Sequence, residues 1–275
     1  MLKINSKLKL NDGNEIPLLG FGAWQIEDGK QIEDCISTAF KAGYRLIDTA
    51  SIYGNEKGVG SAVRKAVASG IPREEIFVTT KLYNDDHDNV EKAFNESLKK
   101  LGLDYIDLYL IHWPVIGKRI ATWKIFEKLL NTGKVKSIGV SNFTISQLQE
   151  LMKNSEIVPA INQVEFSPWL YQKELLDFCK KNNIILEAYS PLTRGKMLND
   201  KRLAIIAKKY DRSPAQMILR WAIQQDIVVI PKSTDPKKIV ENSQLYDFEI
   251  EKKDIETINS FNENKRFCWN PEELD

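Results

Sequence analysis

Eight short runs of β-branched, aromatic and aliphatic residues recur along the chain: Leu18 to Gly22, Tyr44 to Thr49, Ile76 to Lys81, Tyr105 to His112, Val135 to Ser141, Ala160 to Phe166, Ile184 to Ser190 and Ile227 to Lys232. Their near-continuous apolar character predicts strands covered on both faces. Between them the apolar period lengthens to that of a helix. Ala93, Phe94, Leu98 and Leu101 share one helical face, while Glu96 and Lys100 stand four apart on the other. Gly43, Gly70, Gly102 and Gly133 each follow such a stretch, where a helix end favours positive φ. Ser213-Pro214-Ala215-Gln216 reads as an N-cap, a first-turn proline and a capping-box partner ahead of Met217, Ile218, Trp221 and Ala222.

A strand followed by a helix, repeated about every thirty residues, predicts an α/β fold of the (β/α)8 TIM-barrel type. An open doubly wound sheet is the alternative that the same pattern allows. Residues 1–275 read as a single barrel domain, since Pro, Gly and Ser never cluster into a linker. Ahead of the first repeat, Leu8-Lys9-Leu10, Asn11-Asp12-Gly13-Asn14 and Glu15-Ile16-Pro17 form a hairpin pattern around Asp-Gly, expected to close the bottom of the barrel.

Composition narrows the partners. Of 275 residues, 39 are basic and 38 acidic, and the net charge of +1 provides no field for nucleic acid. No apolar run reaches membrane-helix length, and the start of the chain lacks a signal-peptide pattern. Cys35, Cys179 and Cys268 match no disulfide or zinc spacing. These features predict a soluble, cytoplasmic protein, in which the glycosylation-type triplets at Asn95 and Asn142 carry no meaning.

In a barrel of this type, chemistry collects at the C-terminal ends of the strands. Asp48 ends the second run, Lys81 the third, His112 the fourth and Ser141-Asn142 the fifth. Gln163 and Glu165 lie in the sixth, Tyr189-Ser190 end the seventh and Lys232-Ser233 the eighth. Seven of eight strands therefore deliver polar groups to one expected mouth.

The segments that carry these residues are Ile47-Asp48-Thr49-Ala50-Ser51-Ile52-Tyr53-Gly54-Asn55-Glu56, Thr80-Lys81, Asp107 to Pro114, Gly139-Val140-Ser141-Asn142-Phe143 and Ile230-Pro231-Lys232-Ser233. In this order they closely resemble the aldo-keto reductase family, from about Ile16 to Phe248. The resemblance implies reduction of aldehydes and ketones with NADPH, and it lays the catalytic tetrad on Asp48, Tyr53, Lys81 and His112. The chemistry suits those side chains. Hydride delivery leaves an alkoxide that needs a proton donor, here Tyr53, whose phenol has a reference pKa near ~10. Lys81 is expected to lower that pKa, Asp48 to hold the ammonium, and His112 to orient the carbonyl.

By the same resemblance, Ser141, Asn142 and Gln163 would bond the nicotinamide carboxamide and Tyr189 would stack on its ring. Ser190 and Leu192 would line the pyrophosphate path. Lys232, Ser233 and Thr234 would meet the adenosine 2′-phosphate, with Glu241 and Asn242 near the adenine. Lys238 stands where the family commonly has arginine, keeping the charge and losing the planar fork. Trp24 and Trp113 match the pocket's aromatic walls beside Tyr53 and His112, with Tyr83 and Trp269 as further candidates. No metal is expected, and His87 in Asn84-Asp85-Asp86-His87-Asp88 reads as a solvated turn.

Tyr53-Gly54-Asn55-Glu56-Lys57 and the glycines at 54, 58 and 60 mimic short-chain dehydrogenase signatures, but they overlap where that family keeps them far apart. The partner expected is a small carbonyl substrate, acted on by a monomer. Short segments after the fourth strand, Val115 to Arg119, and the seventh, Pro191 to Met197, suggest an open mouth and broad substrate range. The tail past Phe248 is spent largely on a helical pattern, Lys252 to Phe261, with little left to cross that mouth. A nucleotide-sensing regulatory subunit of the same fold is the alternative function.

Overall fold

The computed structural model describes residues 2–274. Strands β1 (Lys7–Lys9) and β2 (Glu15–Pro17) pair antiparallel across the Asp12-Gly13 turn, where Gly13 takes φ 91°. Eight parallel strands follow: β3 (Gly20–Gly22), β4 (Leu46–Asp48), β5 (Phe77–Leu82), β6 (Ile106–Ile111), β7 (Val135–Ser141), β8 (Ile161–Glu165), β9 (Ile185–Tyr189) and β10 (Val228–Val229). They pair in chain order, and a parallel bridge between Leu19 and Val229 closes the ring. All eight expected runs become strands. The last is the shortest because Pro231 has no N–H to extend a ladder, although its carbonyl still accepts from Gly22 N at 3.1 Å. A side chain at Gly22 would put its Cβ 2.9 Å from the Ile230 carbonyl oxygen, so this seam requires glycine.

Helices α1 (Lys30–Lys41), α2 (Glu56–Ala68), α3 (Val90–Leu101), α4 (Arg119–Leu130), α5 (Ile145–Lys153) and α6 (Lys173–Lys181) alternate with the strands. Between β9 and β10 lie two, α7 (Lys201–Lys209) and α8 (Pro214–Ile223), and α9 (Pro236–Glu241) and α10 (Lys252–Asn259) end the series. Ser213 caps α8 in a capping box with Gln216, as its sequence predicts. Gly43, Gly70, Gly102 and Gly133 all have positive φ just past helix ends.

The hairpin sits where it was expected. Leu10 and Ile16 are buried with Leu46, Phe77, Leu108, Ala160, Ile161 and Val228, side chains from the lower parts of the strands. Asn11 and Asn14 fasten it by donating to the carbonyls of Pro159 and Lys136, each at 3.0 Å. With the bottom closed by packed hydrocarbon, the opposite end is left for chemistry.

Candidate active site

Lys81, next to last in β5, is a fully buried side chain, and a buried ammonium is tolerated only when all its donors are used. Its neighbour strand supplies the answer. Lys81 Nζ donates to Asp48 Oδ1 at 2.7 Å, to Asp48 Oδ2 at 2.8 Å and to the Thr49 carbonyl at 2.8 Å. Asp48 therefore stands in the floor of the mouth with Lys81 beneath it, and no ammonium hydrogen is left over.

Tyr53 sits in a 3₁₀ turn, Ser51–Tyr53, that leaves β4 immediately above this pair, and Lys81 Nζ lies 5.1 Å from its ring centroid. His112, just past β6, meets the Tyr53 ring edge-on at 5.8 Å and the Tyr83 ring at 5.9 Å. The tetrad side chains thus converge from three adjacent strands. Burial holds the His112 imidazole well below its ordinary pKa, and the Lys81 charge adds to the effect. The ring is therefore neutral at physiological pH.

The expected lowering of the Tyr53 pKa is not what the structure produces. Burial raises the phenol well above its ordinary value, and the Asp48 carboxylate raises it further. The physical reason is that the phenol is partly withdrawn from water, while Asp48 neutralises Lys81 at hydrogen-bond distance. Tyr53 consequently keeps its proton.

The ends of β7, β8 and β9 form one polar chain. Ser141 Oγ donates to the Gln163 carbonyl at 2.8 Å, and Asn142 Nδ2 donates to Ser141 Oγ at 3.1 Å and to the His112 carbonyl at 3.0 Å. Tyr189 Oη donates to Asn142 Oδ1 at 2.9 Å, which fixes the tyrosine ring. Asn142 holds φ 65°, a left-handed conformation that asparagine tolerates better than most residues. Gln163 Nε2 donates to Asp48 Oδ2 at 2.7 Å and to Glu187 Oε2 at 2.9 Å. Glu187 is wholly buried and was not among the expected site residues. Its signal was available: an acid between Leu186 and Ala188 in an apolar strand, in the same alternating register as Tyr189.

A cavity of about 960 Å³ opens over these groups. Asp48, Tyr53, His112, Ser141, Asn142, Gln163, Tyr189, Ser190, Leu192, Lys232, Ser233, Thr234, Lys238, Glu241, Asn242, Trp24 and Trp113 all line it. Lys81 alone of the expected set lies beneath its floor. Tyr83 and Trp269 also line it, and so do residues that sequence reasoning did not select, including Arg194 and Ser213-Pro214-Ala215 at the start of α8. Arg194 stacks its guanidinium 4.4 Å from the Trp24 ring centroid, and Ser190, Thr193 and Arg194 all have positive φ.

Two expectations are corrected. The tail does cross the mouth: the backbone N–H groups of Phe267 and Cys268 donate to the Glu165 carboxylate at 2.7 and 3.2 Å. This brings Trp269 to 6.0 Å from Trp113, so the chain beyond α10 supplies an outer wall. His87 is no solvated turn. It is 6% exposed, its Nδ1 lies 2.7 Å from Thr122 Oγ1, and burial lowers its pKa. The acidic residues around it face outward while the ring packs under α4.

Among the described residues no helix is long and apolar enough to cross a membrane, and no cluster of three or more His, Cys, Asp or Glu could hold a metal ion.

A parallel eight-stranded barrel with a buried lysine–aspartate pair, a protonated tyrosine and a neutral histidine at its upper mouth defines an oxidoreductase of the carbonyl-reducing kind. The sequence model of the Aldo/keto reductase family matches residues 18–263, and the chain belongs to that family. It is 46% identical over 273 residues to glyoxal reductase of Bacillus subtilis (strain 168), covering 98% of each chain. Methylglyoxal reductase DkgA of Escherichia coli (strain K12) is 42% identical over 97% of each. Among solved structures, an aldo-keto reductase of Bombyx mori in complex with NADP superposes with a TM-score of 0.91 at 39% identity, covering 100% of this chain and 98% of that one.

Proposed function

We propose that this aldo-keto reductase reduces small aldehydes, ketones and dicarbonyls with NADPH, and that Tyr53 donates the proton. The observation that carries this reading is the meeting of Tyr53, the Lys81–Asp48 pair and His112 at the floor of one cavity whose β10 side presents Lys232 and Lys238.

The residues present fit the dinucleotide. Two lysines on the β10 side suit the 2′-phosphate, as charge-assisted donors do. At the other side Gln163 has committed both Nε2 hydrogens to the carboxyl groups of Asp48 and Glu187, which leaves its carbonyl oxygen to accept from a carboxamide N–H₂. Tyr189, fixed through Asn142, offers a flat ring against which a nicotinamide can lie. Ser190 and Leu192 line the span between, and Glu241 and Asn242 lie beside Lys238 for the adenine. When bound, NADPH supplies the hydride.

The chain's own residues supply orientation and the proton. A substrate carbonyl placed between Tyr53 and His112 accepts a hydrogen bond from each, with the neutral imidazole serving as a donor through one nitrogen. Charge developing on that oxygen in the transition state is what both bonds stabilise more strongly than in the ground state. Because Tyr53 holds its proton tightly until then, transfer occurs only to a strong base, which an alkoxide is. Asp48 offsets the charge of Lys81 below the phenol, so the phenolate gains little from the pair and readily takes a proton back. Trp24 and Trp113, with the exposed Trp269 at the rim, give the substrate end an apolar wall.

Glyoxal and methylglyoxal head the substrate panel because relatives carry those names. The experiment is NADPH consumption with those dicarbonyls and a set of aliphatic and aromatic aldehydes. Turnover of several of them supports a broad reductase. Binding of NADPH with no turnover of any carbonyl contradicts it and favours a nucleotide sensor.

A further inference from the structure

Glu187 is a buried acid with no part in the chemistry above. It lies on β9 directly opposite Gln163 on β8, and its side chain is entirely shielded from solvent. Oε2 accepts from Gln163 Nε2 at 2.9 Å, and Oε1 has no hydrogen-bond partner. The same Nε2 reaches Asp48 Oδ2 at 2.7 Å, so one amide bridges two carboxyl groups. The charged and titratable groups that face Glu187 are Asp48 from β4, Lys81 from β5 and Tyr53 from the turn beyond β4.

Charge balance decides the state of this acid. Asp48 and Lys81 cancel at hydrogen-bond distance, and Lys81 has no donor left for a second carboxylate. An ionised Glu187 would leave a net negative charge in a dry barrel core, which is costly. Burial and the nearby Asp48 carboxylate accordingly push its carboxyl up to about 8. A carboxylic acid that keeps its proton still offers Oε2 as an acceptor.

We propose that Glu187 is a positioning residue for the reduction: a neutral carboxylic acid that, together with Asp48, turns both N–H groups of Gln163 into the barrel and leaves the Gln163 carbonyl to the cofactor. Its ionisation links proton binding to the oxidation state of the dinucleotide. A negative charge gained at Glu187 attracts the cationic ring of NADP⁺ and leaves neutral NADPH indifferent, so alkaline pH shifts the site toward NADP⁺. This inference rests on the dinucleotide reading of the cavity given above.

The test compares dissociation constants of NADP⁺ and NADPH by protein fluorescence from pH 6.5 to 9, with no carbonyl substrate present. Taking their ratio cancels titration of the 2′-phosphate and of the lysines, which both forms share. In the wild type the NADP⁺/NADPH ratio of dissociation constants falls about threefold or more through the region of pH 8. In Glu187→Gln, which keeps an acceptor oxygen without a proton to lose, it stays flat, and NADPH affinity at pH 7 is preserved. Glu187→Met removes the acceptor and weakens NADPH binding by roughly 3- to 10-fold. Infrared difference spectra of wild type against Glu187→Gln, free of nucleotide, show a protonated carboxyl C=O band at pH 7 that disappears above pH 9. A flat wild-type ratio, an equal slope in Glu187→Gln, or absence of that band overturns the proposal. Should the wild type bind neither dinucleotide, the functional reading fails and takes this inference with it. Binding of both with no effect of Glu187 defeats this inference alone.

Discussion

The carboxylate of Glu165 accepts the backbone N–H of Phe267 at 2.7 Å, a contact across 102 positions that ties the end of β8 to the tail. Gln163, two residues earlier on the same strand and facing the same side, is tied to Asp48. One strand therefore organises the floor of the cavity and its outer wall. Glu165→Ala should release the tail and with it Trp269, whose ring otherwise stands beside Trp113. KM for aromatic aldehydes should rise about 3- to 10-fold, as loss of one or two charge-assisted bonds allows, while kcat stays within twofold. Trypsin should also cut faster after Lys265 and Arg266. Unchanged KM and unchanged proteolysis would show that the latch does not shape the pocket.

The buried ion pair makes a stability prediction. Lys81 and Asp48 have side-chain exposures of 0% and 4%, so removal of one partner strands a charge in the core. Lys81→Met and Asp48→Asn should each cost roughly 3–5 kcal/mol in denaturant unfolding. The double variant should be less destabilised than the sum, because no orphan charge remains. Additive losses would mean that the pair is not coupled.

Two groups shape the pH dependence of stability in opposite directions. His112 has its pKa depressed in the folded state, so the unfolded chain binds more protons below about 6.5, and stability falls as pH drops through that region. Glu187 has its pKa raised to about 8 from an ordinary 4.5, so the folded chain binds the extra proton and stability falls as pH rises between those values. Glu187→Gln should therefore gain on the wild type as pH increases from 5 to 8 in thermal unfolding. A constant difference between the two proteins across that range would contradict the assignment.

Selectivity for the cofactor should come from Lys232 and Lys238, both exposed on the rim of the cavity. Charge-assisted contacts of roughly 1.5–3 kcal/mol, reduced by solvent screening, predict at least about tenfold preference for NADPH over NADH. Added salt should narrow the gap, and Lys232→Ala or Lys238→Ala should each erode it. Equal KM values for the two cofactors would show that these lysines serve another purpose.

The strands were legible because they are local signals, and the resemblance of the ordered segments that end them to the aldo-keto reductase family pointed to Asp48, Tyr53, Lys81 and His112 as neighbours. Near-continuous apolar runs report a doubly covered strand, and the residue at the end of each run reports the mouth. What escaped were properties that depend on third parties. The direction of the Tyr53 shift turns first on the burial of the phenol and then on the Asp48 carboxylate near it, which the order of residues along the chain does not reveal. His87 is buried by Thr122 on α4, thirty-five positions away, so its polar neighbours misled. The course of the tail is set by long-range contacts, those of Glu165 and of the Trp169 carbonyl with tail backbone among them, which leave no periodic trace in either segment. Glu187 was visible as an acid in an apolar strand, and only the register with Gln163 shows what it touches.

The central claim is that Tyr53 delivers the proton to the reduced carbonyl, and one comparison tests it most directly. Steady-state reduction of methylglyoxal and the dissociation constant of NADPH are measured side by side for the wild type and Tyr53→Phe, which keeps the ring beside His112 and removes only the hydroxyl. The account predicts turnover by the wild type, a loss of kcat of about 10²- to 10⁴-fold in the variant, and nearly unchanged NADPH affinity. Retention of more than about a tenth of wild-type kcat, a loss of barely 1.4 kcal/mol, would contradict it and move the proton donor elsewhere.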